Sequence, residues 1–450
     1  MWKWLKAGGR PKNQVRDHLT RHMGGPCADA QTIAHPIKPI ERVNLQLALD
    51  GWFGANGRPG RLLGYAGNFF SRSTGMSQLL AEDNVTVAPV ERERFPRGPG
   101  GEELDCVTRG LYLLHHDGRP VVVLLRASDS VFEQPVLELM ARERETARDA
   151  LGRRLDEVRR HSVYKGRTIT LESEDHPRRV FVRFRELPPT PREQIVLPEA
   201  VLAVVERNVL GLVQHADVLR RSGRATRHGL LFHGPPGTGK TLMLRYLAGA
   251  CPGHTVILMT GRQMGLIRES CQVARLLAPA LVILEDVDLV AQDRQRNQGP
   301  TLLHELLDEM DGLGPKADCI FLLTTNRPDV MEPALAARAG RIDQAVEFPL
   351  PDDDCRRRLF ALYGHGLDLA GVAVERWVEK TAGVSPAFIE ELLRKAALMA
   401  AERGESAAPL RLRDENVARA LEELVCFGGE LTQHLLGYRT IGYRSPKPRP

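Results

Sequence analysis

The sequence has no pair of cysteines at metal-ligand spacing. Its seven cysteines stand apart, at 27, 106, 251, 271, 319, 355 and 426. That excludes a zinc ribbon or finger and points to reduced thiols in a cytosol-like compartment. No uninterrupted apolar run approaches the ~20 residues that span a bilayer. The opening stretch, MWKWLKAGGRPKNQ, is basic but holds no apolar core of signal-peptide length. A large charge excess is missing too. A formal net charge of +5 over 450 residues does not by itself call for nucleic acid or an anionic membrane. The expectation is a soluble, cytoplasmic protein. With 42% hydrophobic and 26% charged residues, the chain predicts two to four folded units at ~100–200 residues each.

Residues 1–40 are rich in basic residues, Gly and Pro with weak periodicity, and read as a flexible basic arm. His18, His22 and Cys27 within it form no more than a loose trio and lack the second pair of a metal site. Residues 41–188 have a mixed pattern, predicting an α+β domain. ERVNLQLALDGWF (41–53) predicts a helix, and GLYLLHHDGRPVVVLLRAS (110–128) a hairpin turning at Asp117–Gly118. QPVLELMARERETARDALGRRLDEVRRH (134–161) has apolar residues at helical spacing and predicts a charged helix. A second hairpin is expected over 162–187, turning near Glu174–Pro177. PPTPREQIVLP (188–198) reads as a linker.

Beyond it, short apolar runs alternate with helical stretches: HGLLFHG (228–234), HTVILMT (254–260), ALVILED (280–286), CIFLLTTN (319–326) and QAVEFPL (344–350). Nearly continuous apolar strands alternating with helices predict a parallel sheet covered on both faces, here an α/β subdomain over 189–351. Residues 352–427 predict a purely helical subdomain. Residues 428–450 show no core pattern and read as a flexible tail.

GPPGTGKT, residues 234–241, fits the template G-x-x-x-x-G-K-[ST] between a strand and a helix. Gly234, Pro235, Pro236, Gly237, Thr238, Gly239, Lys240 and Thr241 thereby become the candidate phosphate site. Glycines let backbone N–H groups converge on phosphate oxygens, and the helix start directs its positive end at them. Lys240 can reach the β- and γ-phosphates of ATP, and the Thr241 hydroxyl can ligate Mg²⁺. LVILEDVD (281–288) supplies two carboxylates at the end of a buried strand whose C-terminal end falls beside that loop. Their order is unusual. Glu285 comes first, where a shorter acid commonly stands on the metal side, and Asp286 follows.

At these residues the chain resembles AAA-family ATPases over about 200–405. HGLLFHGPPGTGKTLMLRYLAGA (228–250) resembles the family's first strand, P-loop and helix. TLLHELLDEMDGL (301–313) resembles the helix after the metal-binding strand. FLLTTNRPD (321–329) resembles the segment with a polar sensor, here Asn326. EPALAARAGRID (332–343) resembles the arginine-finger stretch, with Arg338 and Arg341, and with Ala339 where proline is usual. TAGVSPAFIEELLRKAAL (381–398) resembles the start of the lid helix. The Glu-Asp order is similar to that of the mitochondrial AAA ATPase that assembles respiratory complex III. A group of bacterial AAA proteins looks alike in this and in neighbouring segments.

The resemblance implies an α/β P-loop core with a helical lid, preceded by the α+β domain. It implies Mg²⁺-dependent ATP hydrolysis and a homo-oligomeric ring, most often a hexamer. By position, Glu285 serves Mg²⁺ through its water shell and Asp286 polarises the attacking water. Arg338 and Arg341 reach a neighbouring subunit's ATP. The expected task is remodelling of client proteins. TGRQMGLIRESCQVARLL (260–277), where many relatives carry a gripping aromatic, has none. Met264, Leu266 and Ile267 are its apolar candidates. An ATP-driven nucleic-acid motor is the second class, weakened by the absence of a basic stripe with interleaved aromatics in the ATPase region. A nucleotide-gated scaffold with little turnover is the third, supported only by the reversed acids.

Overall fold

The computed structural model describes residues 13–55, 60–67, 74–126, 134–173, 180–288, 302–312, 317–329, 342–404 and 409–427. The chain divides between Glu186 and Leu187 into two compact units. Among the described residues no helix is long and apolar enough to cross a membrane.

The first unit is an antiparallel sheet with helices on both faces. Its strands run in the order Gln31–Pro36, Val136–Ala141, Arg119–Arg126, Glu103–His116, Arg61–Ala66 and Thr86–Ala88. The strand Glu91–Pro96 pairs with Glu103–His116 outside that path. Side chains alternate across a strand. Val121, Val123 and Leu125 therefore pack under the helices Arg42–Ala55 and Arg144–Arg160. Val122 and Leu124 face the helices Gln14–Met23 and Met76–Ala81. Covering both faces is why VVVLL reads as one unbroken apolar run. The predicted turn is present: Asp117 and Gly118 both have positive φ, +49 and +79, and join the two longest strands.

Two expectations need correcting here. Residues 13–36 are not a free arm. Gln14–Met23 is a helix whose Val15, Leu19 and Met23 are buried against the sheet, and Gln31–Pro36 is an edge strand. Asn13 caps the helix by accepting from the Arg16 N–H, and its own amide donates to Leu79 O and Glu82 O. Leu19 is fully buried, so Leu19→Ala is expected to cost about 2–5 kcal/mol of this unit's stability. A denaturant midpoint equal to the parent's would mean that the helix is not docked.

The predicted helix over 134–161 begins only at Arg144. Val136–Ala141 is a strand, with Leu137 and Leu139 in one core and Met140 in the other. An apolar run of this length suits a turn of helix or a strand buried on both faces, and pairing along two neighbouring strands decides. The second hairpin forms from Thr168–Ser173 and Val180–Phe184; its turn lies outside the described residues.

In the second unit, five parallel strands run in the order Gln344–Glu347, His228–His233, Cys319–Thr325, Ala280–Leu284 and Thr255–Met259. The chain leaves His228–His233 and returns at Thr255–Met259 with two strands between them, while Gln344–Glu347 lies on the other side, so a crevice opens at the C-terminal strand ends around the P-loop strand. The expected linker is docked rather than free. Ile195 and Leu197 join the core beneath the sheet. Arg192 pairs with Glu206, which also accepts from the Tyr246 hydroxyl.

The C-terminal part packs four helices, Asp353–Tyr363, Val374–Lys380, Pro386–Glu402 and Asp414–Glu422, around Trp377 and Phe388. Asp352 and Ser385 cap two of them, each accepting a backbone N–H. This part is not purely helical: Leu367–Gly371 and Leu410–Arg413 form a parallel pair. The six described cysteines are free and buried. Burial pushes Cys271 and Cys319 up to about 12, which leaves them as inert thiols.

Candidate functional site

The loop after the strand His228–His233 closes so tightly that glycine is obligatory at two positions. At Gly234, φ is +146 and a Cβ would lie 2.3 Å from the Phe348 carbonyl oxygen. At Gly237, φ is +72 and a Cβ would meet Ala387 and the Ser385 hydroxyl at 2.9 Å. The second clash shows that the loop touches the start of the helix Pro386–Glu402. The Ala387 N–H donates to Gly237 O at 3.2 Å. Gly239, also at positive φ, caps the helix Lys240–Ala250, whose free N–H groups and positive end face the loop.

Lys240 is buried, at 6% exposure. Its Nζ donates to Gly234 O and Pro235 O, both at 2.8 Å. Burial pulls its pKa down to about 8, against the attraction of Asp286 and Asp288. The ammonium is thus held in the concavity of its own loop, with backbone carbonyls standing in for more strongly charged partners. Thr238 ties the loop by donating to Pro235 O at 2.9 Å.

The two acids part company beyond the strand Ala280–Leu284. Glu285 accepts from the Thr241 hydroxyl at 3.2 Å. Asp286 turns the other way and accepts from the Asn326 amide at 3.2 Å. Asp286 sits at φ +53, a left-handed conformation that costs a non-glycine residue about 1–3 kcal/mol and clusters at functional sites. Its N–H is satisfied by the Thr324 hydroxyl at 3.0 Å. Burial, and next the charge of Asp288, hold its carboxyl above the ordinary Asp value; Lys240 and Asn326 pull the other way. A hydroxyl and a carboxylate oxygen, Thr241 and Glu285, are the hard donors that suit Mg²⁺. A partly buried carboxylate of raised basicity beside a polar amide suits activation of a water.

The eight loop residues, Glu285, Asp286 and Asn326 are thus gathered at one end of the sheet. Arg338 and Arg341 lie outside the described residues. Of the apolar candidates for gripping a client, Leu266 and Ile267 are buried at 5% and 1%, while the Met264 side chain is not described. Three residues were not singled out from the sequence: Thr324, Thr325 and Asp288. The hydroxyls before Asn326 and the third acid of LVILEDVD were their only signal. His18, His22 and Cys27 do not converge; His22 Nε2 lies against Leu114 O and Val121 O. Among the described residues one metal-type cluster exists, His116, Asp117 and Asp149. Arg153 already bridges its two acids at 3.1 and 3.0 Å.

A glycine loop that buries its lysine, at the switch point of a parallel sheet, is the phosphate-binding architecture of P-loop nucleotide-binding proteins. Residues 230–350 match the family described as "ATPase family associated with various cellular activities (AAA)". The match places residues 230–350 of the chain, the P-loop and the acid pair included, in this family of P-loop proteins. It is similar to an ATP-dependent zinc metalloprotease FtsH of Acaryochloris marina, 29% identical over 52% of this chain and 39% of that protein. It is also similar to a Cell division cycle protein 48 homolog of Archaeoglobus fulgidus, 28% identical over 71% of this chain and 42% of that protein. A proteasome-activating nucleotidase of Pyrococcus horikoshii is 28% identical over 51% of this chain and 60% of that protein. The chain thus spans about two fifths of the length of the first two of these relatives.

Proposed function

We propose that the protein is an Mg²⁺-dependent ATP hydrolase that works as a cytoplasmic homo-oligomeric ring, in the hexameric form common in its family, and remodels client proteins. The observation that carries the catalytic part is the parting of the two acids. Glu285 faces Thr241, and Asp286 faces Asn326. In this reading the loop amides and Lys240 bind the phosphates of ATP. Lys240 exchanges the carbonyls of Gly234 and Pro235 for phosphate oxygens. Thr241 and Glu285 hold Mg²⁺, which when bound offsets negative charge on the phosphates. Asp286 takes a proton from the attacking water, and Asn326 orients that water with its amide.

The remodelling part is supported by the relatives. Two are named for work on proteins, one a metalloprotease and one a proteasome activator. Contact between Gly237 and Ala387 gives the lid helix a direct view of the phosphate loop, so nucleotide state can move the lid. The unit before residue 187 is proposed to select the client. Burial of Leu266 and Ile267 argues that they do not grip a threaded chain.

Arg338 and Arg341 are proposed to act in trans on a neighbour's ATP, stabilising charge in the transition state. Arg338→Ala and Arg341→Ala are each expected to slow phosphate release without greatly weakening ATP binding. Mixing either with Lys240→Ala subunits is expected to restore part of the activity, because mixed rings contain intact interfaces. Mixed rings that form, by mass, but never regain turnover would refute the in-trans role.

A further inference from the structure

The paired ladder between the strands Ala280–Leu284 and Cys319–Thr325 ends at Leu284 and Leu323. The acid turn and Asn326 both lie past that end, so their mutual placement is set by separate bonds. Thr324 supplies two, its hydroxyl accepting from the Asp286 N–H at 3.0 Å and its carbonyl from the Val287 N–H at 2.9 Å. Asp288 supplies the others. It is buried at 6% exposure. Its Oδ1 accepts both the Thr325 hydroxyl at 2.9 Å and the Asn326 N–H at 3.2 Å. Thr325, fully buried, accepts in turn from the Arg327 N–H at 3.0 Å. The Asn326 side chain then reaches back to Asp286, closing a loop of contacts from acid turn to sensor and back.

We propose that Asp288 is a positioning residue for hydrolysis: by holding Thr325 and the Asn326 backbone, it keeps the Asn326 amide on the Asp286 carboxylate. This rests on the reading that Asp286 and Asn326 handle the attacking water. A buried carboxylate is a costly way to fasten two strand ends unless it is hydrogen-bonded, and here one oxygen accepts two donors from the neighbouring strand end. Because one oxygen accepts both bonds, an amide oxygen can replace it.

The test is a double-mutant cycle on the full-length protein, reading single-turnover phosphate release and ATP affinity. Asp288→Ala is expected to slow release about tenfold or more, with ATP affinity within about threefold of the parent. Asp288→Asn is expected to recover most of that rate. In an Asn326→Ala background, Asp288→Ala is expected to add almost nothing, since the group it positions is gone. Thr325→Val removes the donor to Asp288, and with it the acceptor of the Arg327 N–H, at nearly constant size; it is expected to show the same dependence on Asn326, which keeps the test available if Asp288→Ala folds poorly. Additive losses, or an Asp288→Asn variant as slow as Asp288→Ala, would overturn the positioning role. Parental turnover in Asn326→Ala alone would instead overturn the assignment of Asn326, and the proposal with it.

Discussion

Asp286→Asn is expected to leave ATP bound and to lower turnover by about 10²–10⁴-fold, the usual reach of general-base catalysis. The substitution is close to isosteric. Asparagine tolerates the φ of +53 found at this position, and its amide oxygen can still accept from Asn326. What it loses is the capacity to take a proton from water. The variant is therefore expected to accumulate as an ATP-loaded assembly, seen as retained nucleotide affinity with little phosphate release. Glu285→Gln is expected to differ. It alters the partner of Thr241 on the metal side, so its main effect falls on Mg²⁺-dependent ATP binding. Equal behaviour of the two variants would show that the acids do not divide the work.

Lys240→Ala is expected to weaken ATP binding by about 10²–10⁴-fold. Two charge-assisted hydrogen bonds supply that range at about 1.5–3 kcal/mol each, once they pass from Gly234 O and Pro235 O to phosphate oxygens. The fold is not expected to suffer comparably. Burial already opposes the ammonium, and its removal relieves that cost, which offsets the loss of its bonds to Gly234 O and Pro235 O. Calorimetric titration with Mg²⁺ and ATP, beside a nucleotide-free melting curve, separates the two effects. Unchanged affinity would refute the phosphate-site assignment. A collapse of the melting temperature would mean that Lys240 holds the loop rather than the ligand.

Much of this site was legible in the sequence because its signals are local. The glycines of GPPGTGKT answer to backbone geometry within a few residues. The strands around it read as unbroken apolar runs because both faces of a parallel sheet are covered. Asp117–Gly118 announced its turn for the same local reason, the need for positive φ. What escaped depends on distant partners. Val136–Ala141 is a short, nearly unbroken apolar run that suits a helix or a strand buried on both faces, and it is a strand through pairing with Gln31–Pro36 and Arg119–Arg126. The helix Gln14–Met23 looked too polar for a core, with three residues alone to bury. The short strands Leu367–Gly371 and Leu410–Arg413 lie far apart in sequence among helical patterns. Asp288 and Thr325 gain meaning only when two strand ends are laid side by side. The acid order posed the question of roles, and only the partners, Thr241 for one and Asn326 for the other, supply a physical basis for answering it.

The measurement closest to the central claim is single-turnover phosphate release by the parent, Asp286→Asn and Glu285→Gln at saturating Mg²⁺ and ATP. The parent is expected to release phosphate, Asp286→Asn almost none with ATP still bound, and Glu285→Gln a substantial amount once Mg²⁺ saturates it. Parental release by Asp286→Asn beside a dead, ATP-loaded Glu285→Gln would reverse the two roles, and a parent that binds ATP without releasing phosphate would make the protein a nucleotide-gated scaffold rather than a hydrolase.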